Sequence, residues 1–266
     1  MAAAGAKSEV VICPDAAALA AAAAERIIAA AQLAISKSGR FTIALSGGST
    51  PERTYKLLAQ AYKSRIDWSH TWLLFSDERC VPHGDVRSNY HLANESLLKP
   101  GNISPRQVFS VPTDLGTPAQ CAAAYETSLR RLFDFTVPVD SSRGGHNFPQ
   151  IDLILLGLGD DGHTASLFPG KPALDENRKW ITWSPPGTLP PPVDRVTFTF
   201  PLINAAREVM FLVSGAAKAG IAHEVIDGPV DIHKYPSTGV KPQQTLTWML
   251  DQSAAAQLQK RSQIQT

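Results

Sequence analysis

The stretch Ile151–Phe168, IDLILLGLGDDGHTASLF, decides how this chain is read. From Ile151 to Leu156 it is apolar apart from Asp152, and it then runs into glycines, two aspartates and a histidine. Such an apolar run suits a strand buried on both faces of a parallel sheet. Sites in these sheets lie at the carboxyl ends of strands, where the polar residues now fall. Gly157, Gly159 and Gly162 also spell G-x-G-x-x-G. As a dinucleotide fingerprint the pattern fails. Asp160 and Asp161 would repel a pyrophosphate, Pro169, Gly170 and Pro172 come too soon for a long crossover helix, and no acidic strand end awaits a ribose. As an acid/base loop it is coherent. Histidine is the usual general base near neutral pH, and Asp161 is close enough in sequence to fix the tautomer of His163 or stabilise its imidazolium.

Outward from this stretch, β-rich runs alternate with helical ones. Strands are expected at Val10–Ile12, Phe41–Leu45, Thr71–Phe75, Ile151–Leu156, Trp180–Trp183, Val196–Phe200, Glu208–Val213 and Thr245–Leu250, with a weak one at Val108–Val111. Helices are expected from the Asp15 cap to Gly39, at Pro51–Tyr62, at Asn89–Leu98 (ended by Lys99-Pro100-Gly101), at Pro118–Phe133, at Ala216–Ile226 and from about Ser253. Thr136–Gln150 and the Pro-rich Pro185–Pro192 read as loops. The alternation predicts an α/β fold: an open, mainly parallel sheet with helices on both faces. One domain over residues 1–266, with 1–8 a flexible N-terminus, is the expected organisation.

Composition narrows the function. The 266 residues carry a net charge of +1, with Lys and Arg unclustered, so neither nucleic acid nor an anionic membrane is expected as a bulk partner. Any bound anion is small and held locally. Cys13, Cys80 and Cys121 are far apart, with no C-x-x-C pair, which points to a reducing compartment, the cytoplasm by default. The N-terminus has no apolar core of signal length, and the alanine run Ala16–Ala24 is too short to span a bilayer. Neither an H-E-x-x-H motif nor a G-x-S-x-G elbow occurs. Hydrolysis here would use a base-activated water, with no cofactor and no required metal.

Three more polar clusters follow strands. Phe41–Glu52, FTIALSGGSTPE, enters a glycine loop where Pro51 suits the start of a helix. It is either an anion site at a helix N-terminus, on Gly47, Gly48 and Ser49, or an ordinary N-cap by Ser49 or Thr50. Phe75–Tyr90, FSDERCVPHGDVRSNY, offers Arg79 and Arg87 as forks for phosphate oxygens and Asp77 as a proton acceptor or orienter. In isolation it reads better as a solvated charged loop. Arg195, ahead of VTFTF, and Lys218, at a strand-to-helix turn, either neutralise a phosphate or lie on the surface.

Taken together and in this order, these clusters resemble the 6-phosphogluconolactonases. The matching blocks are ALSGGSTP, FSDERCVPHGDVRSNY, IDLILLGLGDDGHTASLFP, REVMFLVSGAAKA and PSTGVKP…LTWMLD, which cover the chain from Leu45 to Asp251. The resemblance implies a Rossmann-like α/β fold shared with glucosamine-6-phosphate deaminases. It also implies hydrolysis of 6-phospho-D-glucono-1,5-lactone to 6-phosphogluconate in the oxidative pentose phosphate pathway, with the preceding dehydrogenase as a candidate partner. Carried onto this sequence, it puts His163, Asp161 and Asp77 in the catalytic site. The phosphate falls to Gly47, Gly48, Ser49, Arg79, Lys218 and Arg195. The deaminases carry a glutamate just before the loop's proline. Here Phe168 precedes Pro169, so the proton relay for ring opening is missing and the lactonase branch is favoured.

Overall fold

A computed structural model describes residues 7–133, 148–188 and 191–259 of the chain. β1 (Lys7–Cys13) leads to α1 (Ala16–Ser38) through Asp15, whose carboxylate accepts the N–H groups of Ala17 and Ala18. Gly39 ends the helix at φ 73°, the left-handed conformation that favours glycine. There follow β2 (Phe41–Leu45), α2 (Ser49–Ala59), β3 (Thr71–Phe75), β4 (Asp77–Arg79) and α3 (Asn89–Ala93). A π-helical turn, Asn94–Leu98, joins α3 to α4 (Lys99–Gly101). The rest comprises α5 (Pro118–Phe133), β5 (Leu153–Leu156), β6 (Ile181–Ser184), β7 (Arg195–Phe198), α6 (Phe200–Ala205), β8 (Glu208–Val213), α7 (Ala219–Ile226) and β9 (Thr245–Asp251).

Six strands form one sheet in the order β1-β9-β8-β5-β2-β3, every pair parallel. From β2 the chain steps outward to β3; from β5 it steps the other way, to β8 and β9. The order therefore reverses between β2 and β5, where an open α/β sheet leaves a crevice for ligands. Alternation along β5 explains its apolar run. Leu153 and Leu155 join a core layer with Leu19, Ile27, Tyr55 and Leu58 of α1 and α2. Ile154 and Leu156 join the opposite layer with Tyr125, Leu129 and Phe133 of α5. Helices thus cover both faces, as expected. α1 is longer than its alanine run: 23 residues, with a mean hydropathy of 1.5 in its most apolar window, enough by length and composition to cross a membrane. Its stripe Leu19, Ala23, Ile27 and Ala31 is buried in the core layer instead.

Several expectations need correction. A second sheet, β4-β7-β6, is antiparallel and was not anticipated. Lys7 and Ser8 belong to β1 rather than to a flexible terminus, and residues 1–6 lie outside the described residues. Residues 252–257 after β9 form turns, not an Ala-rich helix. α2 begins two residues earlier than read, and its N-cap is Gly48 at φ 110°, with no side-chain cap from Ser49 or Thr50. Lys99-Pro100-Gly101 extends the helical run rather than ending it; Asn102, at φ 52°, ends it. Val108–Val111 contributes one bridge, Leu73 to Val108. Most of the Thr136–Gln150 loop lies outside the described residues.

Two buried tyrosines fasten the strand ends nearest the crevice. The Tyr55 hydroxyl accepts the Ser46 N–H at 3.0 Å and donates to the Ser46 carbonyl at 2.9 Å. The Tyr125 hydroxyl does the same for Phe75, at 2.8 and 3.2 Å. Each phenol satisfies both groups of a backbone leaving the sheet. Tyr55→Phe is expected to destabilise the fold by about 1–3 kcal/mol, because it strands two buried polar groups. Urea unfolding checks this; an unchanged midpoint would mean that the Ser46 backbone finds other partners.

Candidate active site

The loop after β5 is closed on itself. The Gly159 N–H donates to the His163 carbonyl at 2.9 Å and the Gly162 N–H to the Gly159 carbonyl at 3.0 Å. Asp161 Oδ1 accepts the His163 N–H at 3.1 Å and lies 2.5 Å from His163 Nδ1. With the Nδ1 proton directed at Asp161, Nε2 is the nitrogen left to accept a proton. Two glycines make this geometry possible. A Cβ on Gly159 would stand 2.0 Å from His163 Nδ1, and one on Gly162, at φ 78°, would meet Tyr235 at 2.7 Å. Behind the loop, the N–H and hydroxyl of Ser237 both donate to the Gly162 carbonyl, at 3.0 and 2.8 Å. Burial pushes the Asp161 carboxyl up, but the hydrogen bond and charge of His163 outweigh it, so its pKa falls below the ordinary value.

The small sheet supplies the second wall. Alternation along β4 sends Asp77 and Arg79 to one side and Glu78 to the other. Glu78 is buried and accepts the N–H groups of Arg79, Asn89 and Tyr90 and the Ser88 hydroxyl. It ties β4 to the start of α3, and burial pushes its pKa up. Asp77 accepts the Asn89 amide at 3.1 Å and the Ser166 hydroxyl at 2.6 Å, so its carboxylate is fixed from two segments. In the antiparallel register Arg79 stands directly opposite Arg195. Like charges facing across a ladder repel. Arg195 is 5 % exposed, and burial, reinforced by Arg79 and opposed by Asp77, holds its pKa below the usual arginine value. Arg79 donates to the Arg87 carbonyl, while its Nε is buried without a partner among the described residues.

These walls enclose a cavity of about 290 Å³. It collects Gly47 and Gly48, Asp77, Arg79, His163, Arg195 and Lys218 from five separate segments. Gly47 must lack a side chain because Asn89 Oδ1 would lie 2.0 Å from its Cβ. With no side-chain cap on α2, the first N–H groups of that helix are left for a ligand or water. Lys218 Nζ is held by Asp160. Its loop is tied by Asp251, which accepts the Ser214 hydroxyl and the Gly215 N–H.

Not every expected residue reaches the cavity wall. Ser49 is exposed at the start of α2, Asp161 stands behind His163, and Arg87 turns away to pair with Asp85. Asn89, Asp160 and Ser166 were missed. Phe168 is buried beside His163, with ring centroids 4.7 Å apart, so a hydrocarbon face occupies that side of the imidazole. Among the described residues, no group of three or more His, Cys, Asp or Glu side chains converges on a metal site.

The family model for glucosamine-6-phosphate isomerases and 6-phosphogluconolactonase matches residues 14–248. A 6-phosphogluconolactonase of Nostoc is 39% identical over 252 residues, 95% of this chain and 99% of the relative. The solved 6-phosphogluconolactonase of Trypanosoma cruzi superposes with a TM-score of 0.81 at 29% identity, covering 98% of this chain and 100% of its own. A monomeric glucosamine-6-phosphate deaminase shares the fold, with a TM-score of 0.73 at 19% identity over 94% of this chain and 99% of its own.

Proposed function

Because the chain belongs to the glucosamine-6-phosphate isomerase/6-phosphogluconolactonase family, we propose that it hydrolyses 6-phospho-D-glucono-1,5-lactone to 6-phospho-D-gluconate. One observation carries the reading: the Asp161-bound His163 shares a cavity with Arg79 and Arg195, two facing guanidiniums. A base and an anion site in one pocket suit a phosphorylated substrate with a hydrolysable carbonyl.

The phosphate rests on the backbone of Gly47, Gly48 and Ser49 at the start of α2, where open N–H groups and the helix dipole favour an anion. Arg79 and Arg195 supply fixed charge, and Lys218 joins them by leaving Asp160. Asp77, fixed by Asn89 and Ser166, accepts a sugar hydroxyl. His163 Nε2 takes a proton from water as the water attacks the lactone carbonyl, and then returns it to the ring oxygen. Asp161 holds the tautomer and stabilises the imidazolium. Phe168, in place of a carboxylate beside the base, favours this reading over deamination. The free cysteines suit a reducing compartment, and we place the enzyme in the cytoplasm.

The test is acid release from freshly made lactone, corrected for spontaneous hydrolysis. No acceleration over the blank would sink the proposal. Lys218→Ala is expected to raise KM about tenfold with little change in kcat, since a charge-assisted phosphate contact binds substrate and transition state alike. An unchanged KM would remove Lys218 from the phosphate site.

A further inference from the structure

The turn after His163 holds a strained residue. The Leu167 N–H donates to the Thr164 carbonyl at 2.9 Å, so Thr164–Leu167 is a hydrogen-bonded turn, and Ala165 fills its first central position at φ 47°. Glycine is the residue that enters this region without steric penalty. A strained conformation persists only where its surroundings over-determine it, and here they do. The Ser166 N–H donates to Thr197 Oγ1 at 3.1 Å, the Ser166 hydroxyl to Asp77 at 2.6 Å, and the Thr164 hydroxyl to the Gly157 carbonyl at 3.0 Å. Ala165 makes no bond of this kind. Among the described residues its N–H has no hydrogen-bond partner, and the residue lines the same cavity as His163.

We propose that the Ala165 N–H is the oxyanion donor of the hydrolysis, an assignment that rests on the lactonase reading. A water lone pair forms the new C–O bond at the lactone carbonyl carbon. The C=O π pair moves onto the carbonyl oxygen, and the water's proton passes to His163 Nε2. The Ala165 N–H meets the charge on that oxygen. When the pair re-forms C=O, the ring C–O bond breaks and the ring oxygen takes the proton from His163. The product acid then ionises. A backbone donor locked before the charge develops needs no reorganisation, and that is the source of oxyanion-hole stabilisation. The turn bond joins Thr164 and Leu167, so it leaves the first central N–H, that of Ala165, unused.

The test replaces Ala165 with lactate, an amide-to-ester change that deletes the N–H and keeps the methyl group. The expected result is a fall in kcat of about 10²-fold or more. KM should change little, and the pH–rate profile should keep its shape, because no titrating group is lost. The ester also weakens the Thr164 carbonyl as an acceptor. A companion ester at Leu167 breaks the same turn hydrogen bond from the donor side and should leave kcat within about fivefold of wild type. A near wild-type kcat in the Ala165 ester, or an equal loss in both esters, would overturn the assignment. Failure of the unmodified enzyme to accelerate hydrolysis would instead sink the lactonase reading, so the two failures are distinguishable.

Discussion

His163→Ala is expected to slow lactone hydrolysis by about 10²–10⁴-fold, the usual contribution of a positioned general base, with the fold intact. The imidazole is half-buried and touches the Asp161 carboxylate and the Phe168 ring, so few packing contacts depend on it. Its loss leaves the loop closed at its other end, where Ser237 still holds the Gly162 carbonyl. What disappears is the proton acceptor. Asp161 cannot substitute, because it stands behind His163 rather than on the cavity wall; with His163 in place its pKa lies below the ordinary carboxylate value. The same direction says that Asp161 stays ionised throughout the working range and so always favours the imidazolium. Initial acid-release rates and a thermal melt check both halves. A folded variant with a wild-type rate would take His163 out of the mechanism.

Gly159→Ala is expected to cost nearly as much without removing a catalytic group. The added methyl would stand 2.0 Å from His163 Nδ1, 2.2 Å from its Cε1 and 2.8 Å from Asp161 Oδ1. Since no real Cβ comes so near, either the imidazole swings away from Asp161 or the loop opens. A misplaced base loses about 10²-fold in rate even when every group is present. Overpacking adds a stability loss of about 1–3 kcal/mol. Gly157→Ala is the control, since among the described residues nothing lies within 4 Å of its added carbon. A kcat for Gly159→Ala matching that control would show that the His163–Asp161 contact is not needed.

Sequence reading succeeded where burial leaves a local pattern. Phe41–Leu45, Thr71–Phe75, Glu208–Val213 and Pro118–Phe133 form with the bounds read from their apolar spacing. The small sheet was illegible because β4 is three charged residues, and its partner strand lies more than a hundred positions away. The Ser253 helix failed although Ala254 and Ala255 favour helix, because both are buried in turns tied to Asp251. His163 was legible beside its carboxylates after an apolar run, and the glycine loop as one of two readings; Asp77, Arg79, Arg195 and Lys218 each read alone as surface charge and were singled out only through the resemblance of the whole set of blocks. Asn89 and Ser166 were not. Their roles arise from contact with Asp77 across 12 and 89 residues, a relation with no local signature.

The facing arginines of β4 and β7 carry a last consequence. Their repulsion is met in part by local bonds, since Arg195 donates to the Val193 and Pro191 carbonyls and Arg79 to the Arg87 carbonyl. On the proposed function, a phosphate dianion arriving between them would relieve the repulsion that remains. Occupancy would then strengthen the fold as well as fill the pocket, and the small sheet would be the part of the molecule whose firmness depends on the supply of substrate.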